Sequence, residues 1–287
     1  MNVLSLFDGM SCGQIALNKA GIVYENYYAS EIDKHAMGVT MSNYPNTIQL
    51  GDVTKVNGTT LPKIDLLIGG SPCQGFSFQG KGLNFEDERS KLFFEFVRLK
   101  NELQPKYFLL ENVSMKYEHE IIITKYLGIE PLYINSDLVS AQNRERVYWT
   151  NINAMPYNLF GDMMPNIPKL KDRAVSVADI TEREVDAKYY LTQKKIDFIL
   201  SRPKNYECKI NPIKSNCLRT NYSNASANET YIKDEKGIRK LTEIECERLQ
   251  TVPDNYTKNA TQTQRYRMLG NGWTVDVIAN FFNLLNF

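Results

Sequence analysis

Through its first 150 residues the chain keeps one rhythm: a short apolar run, a polar or glycine-bearing joint, then a stretch with helical spacing. The runs NVLSLF (2–7), YENYYAS (24–30), IDLLIGG (64–70), YFLLEN (107–112), PLYINS (131–136) and RVYWT (146–150) read as strands. A helical pattern follows FDGMSCG and ends at Gly21, where a glycine can close it. Further on, Leu92, Phe96, Leu99 and Leu103 recur at i, i+4, i+7 and i+11, the apolar stripe of one helix face. Strand, helix, strand at this spacing predicts an α/β fold with a doubly wound sheet.

After Thr150 the rhythm breaks. Residues 151–239 are richer in Asn, Pro, Lys and Ser, with one clear helical stretch at QKKIDFILS. Helical patterning returns at TEIECERLQ (242–250), TQTQRYRML and TVDVIANFFNLL. The expected organisation is a main domain of 1–150 plus 240–287, with a small lobe of 151–239 inserted; 287 residues suffice for both. Residues 151–239 carry 15 Lys+Arg against 11 Asp+Glu, while the remainder carries 19 against 22. A mildly basic lobe beside a mildly acidic body is compatible with one face meeting an anion, and equally with a mixed solvated surface.

Composition excludes several classes. No stretch approaches the roughly twenty apolar residues of a membrane span, and MNVLSLFDG lacks the basic start and cleavage site of a secretory signal. A cytoplasmic location is expected. Five cysteines without a C-x-x-C pair, and two histidines, argue against a disulfide framework or a zinc cluster, so no metal is expected. Acid–base work must then fall mostly to carboxylates or a cysteine.

The polar residues that end each strand form a pattern of their own. Asp8-Gly9 follow the first strand, Glu31 the second, Asp52 the TIQL run, Cys73 the next, and Glu111-Asn112 close the fifth. In an open parallel sheet, ligands bind outside the carboxyl ends of the strands. Taken singly, an Asp-Gly pair is usually a turn, a carboxylate after a strand is often a helix cap, and a cysteine is more often inert filling. Five successive strands delivering such groups to one edge predict a single site. FDGMSCG lets backbone approach a ligand at a helix N-terminus, but it is not G-x-G-x-x-G and does not announce a pyrophosphate. Glu31 lies where an acid accepts hydrogen bonds from ribose hydroxyls, and Asp52 could meet an adenine amino group. Cys73, in a glycine-rich turn, is the candidate nucleophile, and Glu111 its hydrogen-bonding partner toward substrate. Gly69 and Gly70 are expected to let the strand end turn.

FDGMSCG, GGSPCQGFS, ENV, QNRERVYW, RKLTEIECERLQTVPDNY and LGNGWTVDVI stand in the order found in cytosine carbon-5 DNA methyltransferases. The chain resembles that family through nearly its whole length except about 151–210, and looks closest to phage-encoded enzymes and the catalytic domain of animal de novo enzymes. The resemblance implies a Rossmann-like class I methyltransferase sheet with a small target-recognition lobe. It implies that S-adenosylmethionine is held by Phe7, Asp8, Gly9, Met10, Ser11, Glu31, Ile32, Asp52, Val53, Asn271 and Trp273 and leaves as S-adenosylhomocysteine. Trp273 departs from the usual Gly-Asn-Ser-Val of restriction-type enzymes. Cys73 would attack carbon 6 of a cytosine flipped out of duplex DNA, Glu111 would bond to ring N3 and the exocyclic amine, and Arg144 and Arg146 would brace the nucleotide and its phosphates. Ser71, Pro72 and Gln74 would line the substrate, with residues 74–90 closing over it. Within SNCLRTNYSN (215–224), Arg219, Asn221 and Tyr222 are the candidates for reading bases. A tRNA cytosine methyltransferase and an inactive DNA-binding homologue are the competing readings, and action as a monomer is expected.

Overall fold

The chain is described by a computed structural model over residues 1–71, 88–201, 208–224, 226 and 228–286, with backbone alone for 88–90. Cys73, Pro72 and Gln74, and most of the 74–90 segment, lie outside the described residues.

The chain divides into two compact units: Met1–Ile134 with Glu145–Lys169 and Ile278–Phe287, and Asn135–Arg144 with Leu170–Val277. The first contains β1 (Asn2–Leu6), α1 (Cys12–Lys19), β2 (Asn26–Ser30), α2 (Lys34–Asn43), β3 (Ile48–Gln49), β4 (Leu66–Gly70), α3 (Glu88–Leu103), β5 (Tyr107–Asn112) and α4 (Tyr117–Leu127). It continues with β6 (Leu132–Asn135), β7 (Glu145–Thr150), β8 (Ala154–Pro156) and β9 (Met163–Pro165). Among the described residues, seven strands form a sheet in the order β3-β2-β1-β4-β5-β7-β6. β1 pairs in parallel with β2 and β4, and β4 with β5, whereas β7 runs antiparallel to β5. The order reverses at β1, where a doubly wound sheet opens its crevice.

Burial explains why the apolar runs became strands. Leu4, Leu6, Leu67, Leu110, Val147 and Trp149 are fully buried in one cluster with Phe96 and Leu99 of α3, and Leu92 and Leu103 pack against it, so the predicted helix face is the one that meets the sheet. Each such side chain contributes about 1.5–3 kcal/mol. Gly69 does not turn the chain. It sits inside β4, where a Cβ would stand 3.1 Å from both the Leu6 carbonyl and the Phe96 ring, so its role is close approach of α3 to the sheet.

Two helices escaped the sequence pattern. In α2 only Ala36, Val39 and Thr40 are buried, too sparse a stripe to show, and the Asp33 side chain caps its start by accepting from the His35 N–H. In α4 the buried set includes His119 and Glu120, which interrupt any apolar period.

The second unit holds α5 (Val177–Ile180), α6 (Gln193–Leu200), β10 (Lys209–Ile210), β11 (Thr230–Asp234), β12 (Gly237–Lys240), α7 (Glu243–Leu249) and α8 (Gln262–Asn271). Capping boxes start α7 (Thr242 with Glu245) and α8 (Thr261 with Gln264). The last helix, α9 (Val275–Phe282), gives its first three residues to this unit and the rest to the first. Packing therefore divides the chain differently from composition. Residues 240–277 join the second unit because α7 and α8 share its polar core with residues 135–144, where Ser140 Oγ and Gln142 Nε2 donate to the Leu249 carbonyl at 2.5 and 3.1 Å. Residues 151–169 stay with the first unit, where the Glu130 N–H donates to the Met163 carbonyl at 2.9 Å. Among the described residues no helix is long and apolar enough to cross a membrane, and no group of His, Cys, Asp and Glu is placed to hold a metal ion.

Candidate active site at the strand ends

The loop after β1 is built from conformations side chains avoid. Phe7, Gly9 and Ser11 have φ of 57°, 59° and 65°. The left-handed region suits glycine at 9, but at Phe7 it costs of order 1–3 kcal/mol, strain of the kind that collects at ligand clamps. Three left-handed residues in five fold the loop back over the start of α1. Met10 and Ser11 are buried beneath it.

Glu31 fastens this loop from the next strand. Its Oε2 accepts from the Gly9 N–H at 2.8 Å, while Oε1 accepts from the N–H groups of Ile32 and Asp33 at 2.7 and 2.8 Å. The carboxylate is thus held on both oxygens by backbone N–H groups. Beside it Ile32 is 74% exposed, an apolar platform at the rim. Asp52 takes the N–H and hydroxyl of Thr54 on Oδ1, at 3.0 and 2.8 Å. The backbone bond from Thr54, then its hydroxyl, hold the Asp52 carboxyl below the usual range, so it is an acceptor at neutral pH. Val53 is buried in the core cluster and offers the site backbone alone.

Asp8 is the exception among these acids. Its Oδ1 accepts from the Tyr27 hydroxyl at 2.7 Å, but Oδ2 is buried and makes no hydrogen bond among the described residues. Burial pushes the Asp8 carboxyl up to about 6, with the nearby hydroxyls of Ser5, Tyr27 and Ser11 opposing and the charge of Glu31 adding. A buried acceptor without a donor is costly unless a ligand supplies one.

The candidate catalytic carboxylate sits two strands away. Glu111 near the end of β5 pairs in register with Gly70 of β4 on one side and Tyr148 of β7 on the other. Arg146, two residues from Tyr148 on the antiparallel strand, brings its Nε to 2.9 Å from Glu111 Oε1, with both side chains largely buried. Asn112 Nδ2 donates to Ser71 Oγ at 3.2 Å, fixing the residue from which the chain leads, two positions on, to Cys73.

Arg144 does something else. It is buried, and its guanidinium donates to the carbonyls of Leu218, Gly270 and Gly272 at 3.1, 3.0 and 2.8 Å and to Cys217 Sγ at 3.2 Å, all within the second unit. The expectation that Arg144 braces a phosphate is corrected on this ground: its donors already serve buried carbonyls that would be stranded if it turned away. Tyr222 is likewise corrected. It is 1% exposed, donates to the Thr230 carbonyl at 2.6 Å, accepts from the Leu241 N–H at 2.9 Å and packs against the Tyr266 ring at a tilt of 57°, so it is core and not a base-reading residue. Arg219 remains half exposed, held by Nε and Nη2 on Glu229 Oε1 at 3.0 and 2.7 Å, and Asn221 is exposed. Asn271 ends α8, and Trp273 is buried two residues on. Both belong to the second unit.

Sequence reasoning missed Tyr27, Gln14 and Gly13, which lie behind the loop. Tyr27 sat inside a strand-like run and Gln14 inside a helix, and nothing local distinguished them.

A sheet ordered 3-2-1-4-5 from one edge, with an antiparallel seventh strand set between β5 and β6 and its acids at the carboxyl ends, is the arrangement of the class I methyltransferase fold. The chain belongs to the C-5 cytosine-specific DNA methylase family, whose profile matches residues 1–285. It is 32% identical to the type II methyltransferase M1.ScrFI of Lactococcus lactis subsp. cremoris, over 96% of this chain and 75% of that protein. To the orphan methyltransferase M.SPRI of Bacillus phage SPR it is also 32% identical, over 70% of this chain and 54% of that one. The solved structure of the Entamoeba histolytica methyltransferase EhMeth shares the fold with a TM-score of 0.80 at 16% identity, over 99% of this chain and 97% of that one. The chain is thus a member of an enzyme family, and the family's chemistry is methylation of DNA cytosine at carbon 5.

Proposed function

We propose that the protein methylates carbon 5 of a cytosine flipped out of duplex DNA, using S-adenosylmethionine and a transient covalent bond from Cys73. The observation that carries this reading is Glu111, held by Arg146 at the end of β5 and level with Gly70, three residues before Cys73.

The residues around the first loop suit the cofactor. The unpartnered Asp8 oxygen fits an ammonium group, Glu31 and Asp52 offer acceptors for ribose and adenine, Phe7 and Ile32 offer apolar surface, and the backbone of Gly9, Met10, Ser11 and Val53 lines the approach. Asn271 and Trp273 would complete the set. S-adenosylmethionine supplies an electrophilic methyl group and leaves as S-adenosylhomocysteine.

On the base, the Cys73 thiolate adds to carbon 6, and the displaced electron pair makes carbon 5 nucleophilic. Glu111, bonded to N3 and the exocyclic amine, keeps the ring from bearing a full negative charge, and Arg146 fixes the angle of that carboxylate. Carbon 5 takes the methyl group and loses its proton to a base. The S–C6 bond then breaks, restoring both the aromatic ring and the free cysteine. Ser71, Pro72 and Gln74 line the base, and 151–239 with Arg219 and Asn221 reads the duplex. The enzyme acts as a monomer in the cytoplasm of a bacterial or phage-infected cell.

Labelled methyl transfer to duplex DNA is expected, and transfer confined to tRNA would overturn the DNA reading. Cys73→Ser is expected to abolish turnover while S-adenosylhomocysteine binding survives; near-normal turnover would remove Cys73 from the mechanism. Bisulfite sequencing of DNA from expressing cells reports activity and target sequence together.

A further inference from the structure

We propose that Tyr27, in the middle of β2, is a positioning residue for the cofactor, acting through Asp8 by way of a gap kept open at Gly13. This rests on the reading of the first loop as the S-adenosylmethionine site.

Tyr27 is 1% exposed, and its hydroxyl donates to Asp8 Oδ1 at 2.7 Å. To reach Asp8 the phenol passes over α1 at Gly13. A Cβ built there would stand 2.5 Å from the Tyr27 oxygen and 2.5 Å from Ile68 Cδ1, far inside contact distance. Gly13 lies in the first turn of α1 and is not among the glycines with a left-handed backbone, so the turn itself does not require a glycine there. The space it leaves is filled by the Tyr27 hydroxyl. Binding Oδ1 from behind fixes the carboxylate plane and leaves Oδ2 for the ligand.

A parallel strut holds the other end of the loop. Gln14, 2% exposed, donates through Nε2 to Ser11 Oγ at 2.8 Å and Thr47 Oγ1 at 2.9 Å, and its Oε1 accepts from the Tyr24 hydroxyl at 2.8 Å. The two left-handed turns at Gly9 and Ser11 are thus pinned from the side away from the ligand. The titratable groups coupled to Asp8 are Tyr24 before β2, Tyr27 within it and Glu31 after it. Of these, Tyr27 favours the carboxylate by its hydrogen bond and Glu31 opposes it. Loss of the Tyr27 hydroxyl therefore moves the protonation of Asp8 to higher pH.

The test is calorimetric binding of S-adenosylhomocysteine between pH 5.5 and 8 to the full chain, its Tyr27→Phe variant, Asp8→Asn, and the double variant. Tyr27→Phe keeps the ring and is expected to weaken binding about tenfold, the effect of one hydrogen bond to a charged group. Its acid limb should move upward, and in the Asp8→Asn background the Tyr27→Phe effect should vanish. Gly13→Ala, which displaces the phenol without removing it, should weaken binding in the same direction, and it serves as the second arm if Tyr27→Phe does not fold. Unchanged affinity and acid limb in a wild-type protein that binds would overturn the role of Tyr27, as would an equal loss with and without Asp8. A wild-type chain that fails to bind at all would overturn the reading of the loop and this inference with it.

Discussion

Two regions bury carboxylates, and they treat them oppositely. In the second unit Glu245 and Glu247 are wholly inaccessible, and each has a full set of donors. Glu245 receives the Arg239 fork on both oxygens at 2.8 and 2.9 Å and the N–H groups of Glu182 and Thr242 at 2.9 and 2.8 Å. Glu247 receives the N–H groups of Asn255 and Thr257, the Thr257 hydroxyl and Arg265. In the first unit Asp8 is nearly as buried but keeps one oxygen without a donor. A buried charge with every lone pair occupied organises a fold; one left short has room for a further donor.

That contrast can be broken by substitution, and the largest effect is expected in the second unit. Glu245→Ala strands Arg239, itself 1% exposed, and should cost about 3–5 kcal/mol of unfolding free energy in urea. A loss below about 1 kcal/mol would show that this network is ornamental.

Asp8→Asn should move stability the other way. The carboxyl is raised from 3.8 to about 6, so the folded state holds its proton longer than the unfolded chain. The resulting penalty is absent below pH 4, grows between pH 4 and 6, and is complete above 6. At pH 7 the variant should gain about 2–3 kcal/mol without ligand and lose the pH 4–6 slope, while binding S-adenosylhomocysteine at least tenfold more weakly. Equal stability at pH 7 would place Asp8 with the satisfied acids.

The smallest effect is expected at the rim. Ile32→Ser alters a residue 74% exposed and should leave stability within about 0.5 kcal/mol. The same change should weaken cofactor binding a few-fold, by the apolar area no longer covered. A shift in melting temperature with no change in affinity would remove Ile32 from the site.

How legible these regions were followed from how local their signals are. The acids of the first site could be found because each closes a strand, and strands are marked by runs of Val, Leu, Ile and Tyr. Arg-x-Arg misled because the resemblance gave residues 144 and 146 one shared task. Instead residues 141–143 bond by backbone to Ser215, Arg144 turns into the second unit's core, and only Arg146 enters β7 beside Glu111. Tyr222 misled for a similar reason: it lies in a polar stretch, and its burial comes from Tyr266 on α8 and from β11 and β12.

The amino-acid order by itself determined the α/β class, the edge at which the reactive groups gather, and the family, because strand period, helix period and short motifs are properties of neighbouring residues. Which arginine pairs with Glu111, which acid is left unsatisfied, why Gly13 carries no side chain and where the units divide were decided by the tertiary structure. Each depends on partners between 14 and 128 residues apart along the chain, and whether a buried polar group is satisfied is settled only when those partners meet.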